Sequence, residues 1–251
     1  MLVDTHCHLD QLEDPESALR DAAALGVSRV VAVSESAASM EAVLKLKHRF
    51  GESVLAGLGL HPAWVSQHPD RVAAGLEFLA AHLSAGDVLG EVGLDHHWAE
   101  TPQQQRFQEE VLERQLSLAA ACRKPVNLHS RRCPRQVMDR AIAYRRQTGL
   151  NAQLHWFTHS LKLVARCSDE GVFVSVGPIA LTDPQARKVA SAIADSLLLL
   201  ETDAPVPVAG QPGHLSRVRA VAETLAQMKG CGWEEIAALT SGNFDRYLAG
   251  S

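Results

Sequence analysis

Near its start the sequence reads Leu2-Val3-Asp4-Thr5-His6, a short apolar run that ends in polar residues. Seven further runs of this kind follow, each short, rich in valine or leucine and nearly continuous in its apolar residues. Such runs are typical of β-strands that are buried on both faces. The eight predicted strands cover residues 2–6, 29–34, 54–60, 88–94, 125–129, 152–155, 172–176 and 197–201.

Amphipathic stretches separate these runs. Asp14 and Pro15 open a helix that is predicted to reach Leu25 and to stop at Gly26, because Asp caps helices, Pro fits their first turn and Gly ends them. Further helices are predicted at residues 102–121, from Asp183-Pro184 onwards, and as a closing pair at 233–239 and 243–248.

Strands that alternate with helices predict parallel βαβ units, and eight such units favour a closed α/β barrel, the (β/α)8 or TIM barrel. An open, doubly wound sheet is the alternative. The 251 residues suit one barrel, and no linker or repeat divides them, so we expect a single domain over residues 1–251. Barrel enzymes place their active sites at the C-terminal ends of the strands.

Composition narrows the function classes. The net charge of −5 gives no support to a protein that holds duplex DNA mainly through a basic surface. The five cysteines form no C-x-x-C pair, which is typical of reduced thiols in the cytoplasm. No apolar run reaches the ~18 residues of a membrane span, and the first residues lack the basic and apolar regions of a signal peptide. We therefore expect a cytoplasmic protein without a membrane partner, with a monomer as the working expectation.

The first predicted strand ends in the motif His6-Cys7-His8. Side chains two residues apart on an extended chain point to the same side, so His6 and His8 are predicted to reach one metal ion while Cys7 points away. In a chain with twelve histidines a chance pair is the alternative.

Four more ligating residues stand at or near the ends of other predicted strands: Glu91, His129, His155 and Asp203. Separate structural roles are the alternative, such as an arginine partner for Glu91 or a capped turn at Asp203. A barrel, however, gathers all of these ends at one mouth. Four imidazoles and two carboxylates fit a hydrolytic site with two divalent metals, in which imidazole favours Zn, Mn, Fe or Ni over Mg.

Together these residues resemble the TatD family of metal-dependent hydrolases, often described as TatD-type deoxyribonucleases. The similarity covers almost the whole chain and lies in Asp4-Thr5-His6-Cys7-His8, Gly59-Leu60-His61-Pro62, Gly90-Glu91-Val92-Gly93-Leu94-Asp95, Pro125-Val126-Asn127-Leu128-His129-Ser130-Arg131, His155-Trp156-Phe157-Thr158 and Glu201-Thr202-Asp203-Ala204-Pro205.

The resemblance implies that His6 and His8 bind one metal, to which Asp203 is a further ligand, and that Asp203 helps to activate a water. It also implies that Glu91 bridges to a second metal held by His129 and His155. Asp203 and Glu91 are thus the predicted catalytic residues.

Three residues are predicted to bind the substrate. His61 matches a family position and is expected to face the mouth, with a structural role in its loop as the alternative. Asp95 is expected to hydrogen-bond a ligand from behind or to serve as a turn residue. Arg131, with Arg132 beside it, is a candidate phosphate contact, and a solvated surface charge is the alternative.

The predicted reaction is cleavage of phosphodiester bonds in DNA by a metal-activated water, acting on exposed single-stranded ends. Two alternatives stay open: hydrolysis of a small ester, amide or phosphoester, and a non-catalytic metal-bound scaffold. The family usually has Gly where this chain has His159, and an Asn-x-Pro element where Gly213-His214 follows Gln211-Pro212. His159 is expected to narrow the pocket as a substitution in its loop, with a gained metal ligand as the alternative. The departure at Gly213-His214 affects the expected substrate preference rather than the ligand set.

Overall fold

The computed structural model describes residues 1–158 and 160–249 of the chain. Eight strands pair in parallel in the order of the sequence, and neighbouring strands are consecutive throughout. Their bounds are β1 Leu2–Cys7, β2 Val27–Val33, β3 Val54–Leu58, β4 Val88–Asp95, β5 Val126–Arg131, β6 Ala152–Leu154, β7 Phe173–Val176 and β8 Leu198–Leu200. All eight predicted strands are confirmed, with ends that differ by at most two residues.

The sheet curves round until β8 lies beside β1. The amide of Asp203, just after β8, donates to the His6 carbonyl at 2.9 Å, and the His8 amide donates to the Ala204 carbonyl at 2.7 Å. The Thr5 hydroxyl adds a bond to the Leu200 carbonyl at 2.9 Å. The result is a nearly closed barrel, as predicted, and not an open sheet.

Helices connect the strands and surround the barrel. Their bounds are α1 Pro15–Ala24, α2 Ala37–Phe50, α3 Pro62–Gln67, α4 Val72–His82, α5 Pro102–Ala121, α6 Pro134–Thr148, α7 Leu161–Glu170, α8 Pro184–Ala192, α9 Arg217–Lys229 and α10 Trp233–Ala249. The predicted caps are present, since the side chains of Asp14 and Asp183 accept from the Ser17 and Ala186 amides. No described helix combines the length and the apolar character that crossing a bilayer requires.

The predicted closing pair of helices is wrong, because α10 runs without a break through residues 240–243. The Thr240 hydroxyl donates to the Ile236 carbonyl within the same helix at 2.8 Å, so it does not compete with the helical backbone. Asn243 donates to the carbonyls of Asp195 and Leu198, both at 2.7 Å, and thereby fixes this segment against β8. These tertiary contacts therefore outweigh the local sequence pattern that predicted two helices here.

Apolar side chains fill the space between the sheet and the helices, and a second cluster closes the end of the barrel where the strands begin. In that cluster Phe244 and Tyr247 of α10 pack against the first residues of several strands. Towards the other end the barrel interior is polar and buried, with the side chains of Thr5, Asn127, Gln153 and Ser175. This polar layer lies beneath the strand ends that carry the candidate site.

Candidate metal centre

The two histidines of the first strand lie where the pairing of β1 with β2 is irregular. The register shifts between Asp4 and Cys7, a change that re-aims side chains at a strand end. Cys7 turns into the core, with its Sγ 3.5 Å from the Val31 carbonyl. His6 and His8 turn instead towards Asp203, with their Nε2 atoms 3.4 and 3.3 Å from its Oδ1.

Glu91 also lies at an irregularity, since the register of β4 against β5 shifts between Leu89 and Val92. Gly93 holds the two strands together two residues later. Its φ is +154°, and a Cβ there would stand 2.0 Å from the His129 carbonyl oxygen, so only glycine fits. This close approach fixes β4 beside β5, and with it the distance between Glu91 and His129.

Three non-glycine residues at the mouth have left-handed backbones, among them Arg132, with a φ of +64°. Asp203, after β8, has a φ of +55°, and Trp156, after β6, has a φ of +46°. Such conformations are uncommon for non-glycine residues and are concentrated at functional sites. Hydrogen bonds hold the last two: the Asp203 amide donates to His6, and the Trp156 amide donates to Glu201 Oε1 at 2.6 Å.

Four donor atoms form what we call the first donor set: Nε2 of His6, Nε2 of His8, Oδ1 of Asp203 and Oε2 of Glu91. Each histidine nitrogen lies 3.3–3.4 Å from the Asp203 oxygen and 3.4–3.5 Å from the Glu91 oxygen. All four residues are buried, with no more than 9% of their surface exposed.

The first donor set fits a divalent cation. Ligand atoms held about 2.0–2.1 Å from a tetrahedral ion lie about 3.3–3.4 Å apart, which matches the four measured separations. Three of the four atoms, His6 Nε2, Glu91 Oε2 and Asp203 Oδ1, are buried and have no hydrogen-bond partner within the protein. Buried polar atoms are costly without a partner, and a cation would satisfy all three at once.

The second donor set consists of Glu91 Oε1, His129 Nδ1 and His155 Nε2. Both nitrogens lie 2.7 Å from the Glu91 oxygen, and they are 3.2 Å from each other. These are hydrogen-bonding distances, shorter than the spacing of ligand atoms around a cation. Glu91 therefore reaches both sets, one through each carboxylate oxygen.

The charges of the site depend on each other strongly. Burial alone would raise the pKa of Glu91, but the imidazoles of His61, His155 and His6 hold it well below its usual range. Burial alone would lower the pKa of His129, but hydrogen bonds to Asp95 and Glu91 raise it to about 9. His155 behaves in the opposite way, because burial and the nearby His6 lower its pKa to about 4.

Two of the predicted substrate-binding residues lie against the second donor set. His61 caps α3 through its Nδ1, which accepts from the Ala63 amide at 3.1 Å, and its Nε2 is 3.4 Å from Glu91 Oε1. Asp95 is buried, 3.2 Å from His129 Nε2, and also accepts from the His97 amide at 2.9 Å. Asp95 thus supports His129 from behind, and His61 is a further candidate ligand beside Glu91.

A cavity of about 620 Å³ opens above the donor sets. Arg131, the third predicted substrate-binding residue, is exposed at its wall together with Arg132, and the half-buried Trp156 also lines the cavity. The full lining comprises His129, Ser130, Arg131, Arg132, His155, Trp156, Thr158, Asp203 and Val206.

His159, the first departure from the family pattern, lies outside the described residues. At the second departure, a Cβ on Gly213 would meet the Val206 carbonyl oxygen at 2.5 Å, so this loop packs tightly against the residues that follow Asp203.

Three buried residues that support the donors stand inside the quoted motifs, but the sequence analysis assigned them no role. Asp4 accepts from the Thr202 amide and ties β1 to the segment after β8. Glu201 receives the Trp156 amide, and burial raises its pKa to about 8. Asn127 contacts His6 at 3.1 Å. A polar residue inside an apolar strand run was the available signal for Asn127.

Comparisons with known proteins identify the family and agree with the fold. The family described as "TatD related DNase" matches residues 3–249. The uncharacterized metal-dependent hydrolase YabD of Bacillus subtilis is 30% identical and covers 98% of each chain. The human deoxyribonuclease TATDN3 is 31% identical over 96% of this chain and 92% of its own. The crystal structure of YjjV, a TatD homologue of Escherichia coli K12, has a TM-score of 0.84 at 30% identity and covers 96% of this chain and 95% of that one.

Proposed function

The chain belongs to the TatD family of metal-dependent hydrolases, as its motifs predicted, and from this premise we propose that it is a deoxyribonuclease that hydrolyses phosphodiester bonds. The observation that carries the proposal is the pair of buried donor sets that share Glu91 beneath a cavity bordered by arginine side chains. A site with two cations and a route for phosphate is what in-line displacement at phosphorus requires.

In this proposal the residues of the first donor set would hold one divalent ion and those of the second donor set would hold another. Bound ions supply a water of lowered pKa and positive charge for the oxygens of the phosphate. The chain's own residues would orient this water and the phosphate. Asp203 contributes Oδ1 to the first donor set, and we assign its Oδ2 to accept a proton from the attacking water.

The DNA contacts proposed for this chain lie on the cavity wall. Arg131 and Arg132 are exposed there, and a guanidinium pairs with phosphate through two parallel hydrogen bonds. Trp156 offers an aromatic face on which a base can stack, a contact worth about 1–3 kcal/mol per base. Because the donor atoms are buried, a single-stranded end reaches them more easily than the middle of a duplex.

A small phosphoester or another small ester is the second candidate substrate. The cavity volume favours it, since about 620 Å³ is within the usual range of small-molecule pockets. Cyclic-amide hydrolysis has less support, because Glu91 stands where such enzymes on this fold generally carry a modified lysine.

The test is a cleavage assay on single-stranded and blunt duplex oligonucleotides labelled at either end, with Zn, Mn, Mg, Fe or Ni supplied in turn. We expect stepwise shortening of the single strand that chelator abolishes and that is absent from a Glu91→Gln variant. A panel of small phosphoesters, esters and amides is assayed alongside. Hydrolysis of panel compounds without DNA cleavage would overturn the nuclease proposal in favour of the second candidate. No hydrolysis of any substrate with any ion would refute both proposals.

A further inference from the structure

We propose that Asn127 is a positioning residue for the first donor set, because its side-chain amide determines which ring nitrogen of His6 faces the cation. The proposal rests on the assignment of His6 as a metal ligand made above. It adds a residue that lies near the start of β5, two positions before His129, and that does not line the cavity.

The contacts of Asn127 are few and specific. The residue is fully buried, and its Oδ1 lies 3.1 Å from His6 Nδ1. Its Nδ2 donates to the Thr5 carbonyl, also at 3.1 Å. One amide on β5 therefore holds both the backbone and the ring of the ligand-bearing segment of β1.

These contacts leave a single arrangement of hydrogens. A carbonyl oxygen only accepts, so the NH2 group of Asn127 must face Thr5 and the amide oxygen must face His6. An amide oxygen also only accepts, so the proton of the neutral His6 ring must sit on Nδ1. The lone pair is then on Nε2, which is the atom that faces Asp203 and Glu91 in the first donor set.

A chain of side-chain hydrogen bonds starts at Thr5, the residue whose carbonyl accepts from Asn127. Thr5 donates its hydroxyl to the Leu200 carbonyl and receives Gln153 Nε2 at 2.9 Å. Gln153 also donates to the Ser175 hydroxyl at 3.0 Å, and Ser175 donates to Glu201 at 2.6 Å. Glu201 in turn lies 3.8 Å from His155 Nδ1.

This chain of contacts runs across the barrel interior from behind His6 to behind His155, so it lies behind one ligand of each donor set. Groups that fix the tautomer of a ligating imidazole typically change metal affinity about 10–100-fold when they are removed. An apolar residue in place of Asn127 would leave Nδ1–H of His6 without an acceptor in a buried site. The tautomer with the proton on Nε2, which cannot ligate, would then compete.

Two substitutions separate this role from a merely structural one. Asn127→Leu removes both the acceptor for His6 and the donor to Thr5. Asn127→Asp keeps the acceptor for His6, whether the carboxyl group is charged or neutral. We expect the leucine variant to bind Zn²⁺ at the first donor set about 10–100-fold more weakly in a chelator competition titration. The aspartate variant is expected to keep most of the affinity.

Asn243→Leu is the matched control. Asn243 is as fully buried as Asn127, but it bonds the carbonyls of Asp195 and Leu198 at the other end of β8. We expect this change to lower the melting temperature without weakening Zn²⁺ binding. Equal affinity losses in the leucine and aspartate variants at position 127, or no loss in the leucine variant, would overturn the proposal.

A direct measurement does not depend on any substitution at position 127. Long-range proton–nitrogen spectra of the histidine-labelled, Zn²⁺-loaded protein, with His6 assigned through a His6→Gln variant, should show His6 protonated at Nδ1 and bound through Nε2. The opposite pattern would refute the inference even if the leucine variant fails to fold. If the unsubstituted protein binds no ion at all, the metal centre itself is wrong, which is a different result.

Discussion

The two donor sets share Glu91 but differ in the spacing and the hydrogen bonding of their donor atoms. In the first donor set the histidine nitrogens lie 3.3–3.5 Å from the two carboxylate oxygens, and three donor atoms have no partner within the protein. In the second donor set His129 and His155 already hydrogen-bond Glu91 at 2.7 Å. The donor atoms of the first set are thus already spaced like ligands around a cation, and we call this set open. The donor atoms of the second set hydrogen-bond one another at shorter distances, and we call this set closed.

The difference indicates an order of filling. A cation entering the first donor set replaces no hydrogen bond between its members, and it relieves buried atoms that otherwise have no partner. A cation entering the second donor set must displace two hydrogen bonds. We therefore expect the first donor set to bind its ion more tightly than the second.

The largest effect is expected at the residue that the two sets share. Glu91→Gln removes a charged ligand from both, so hydrolysis should fall by more than the ~10²–10³-fold that one lost electrostatic contact typically costs. The rate on the substrate found in the cleavage assay measures this.

Glu201→Gln is the control for that change. Glu201 is also a fully buried glutamate, but burial raises its pKa to about 8, so it is largely neutral at pH 7 and glutamine resembles it. Much more activity should survive there. Equal losses of hydrolytic activity at the two positions would contradict a special role for Glu91. The activity would then depend on a buried carboxyl group in general and not on one shared by the two donor sets.

A second substitution in each set tests the order of filling. After dialysis against limiting Zn²⁺, His129→Gln should retain one tightly bound ion, because the first donor set is intact. His8→Gln should lose that ion, with an affinity lowered by more than the ~10–100-fold typical of a supporting contact. Elemental analysis and calorimetric titration give the stoichiometry and the affinities. If His129→Gln loses the tighter ion instead, the assigned order is reversed.

The smallest effect concerns the metal-free protein and the proton on His129. Its pKa is about 9 in the folded chain, against 6.5 for an unperturbed histidine. A raised pKa means that the folded state binds the proton more tightly, so its contribution to stability is complete below pH 6.5 and is lost as the pH rises through about 9.

Urea unfolding in chelator across that window should therefore show a free energy of unfolding that falls with rising pH. Glu201 contributes in the same direction, since its pKa is also raised. Comparison with His129→Gln isolates the histidine term, because the variant should show a shallower decline. Identical slopes in the two proteins would mean that the hydrogen bonds of the second donor set do not retain this proton.

Much of this arrangement follows from local patterns in the sequence. Continuous Val- and Leu-rich runs predicted all eight strands, because strands buried on both faces need apolar side chains throughout. The meeting of Glu91 with His129 also follows, since the ends of parallel strands in a barrel gather at one mouth. Strand number and chain order were sufficient for that inference.

Contacts that depend on register and tertiary docking were not predictable in this way. Asn127 is 121 residues from His6, and only the curvature of the closed barrel brings them together. Residues 240–242 were predicted to separate two closing helices, but the bonds of Asn243 to the carbonyl groups near β8 hold this segment within one continuous helix. The division of the six candidate ligands into one open and one closed set likewise depends on side-chain distances of a few tenths of an ångström.

Gly93 has a consequence for attempts to change the preferred ion. A cation with longer bonds, such as Ca²⁺ at about 2.3–2.6 Å, would need donors that stand farther apart. No side chain at position 93 can be used to move β4 away from β5, because its Cβ would collide with the His129 carbonyl. Directed evolution therefore cannot increase the donor spacing by a substitution at this position. Selection for a larger ion must therefore act through the segments after β6 and β8, where His155 and Asp203 are carried, and libraries restricted to those segments should yield altered metal preference first.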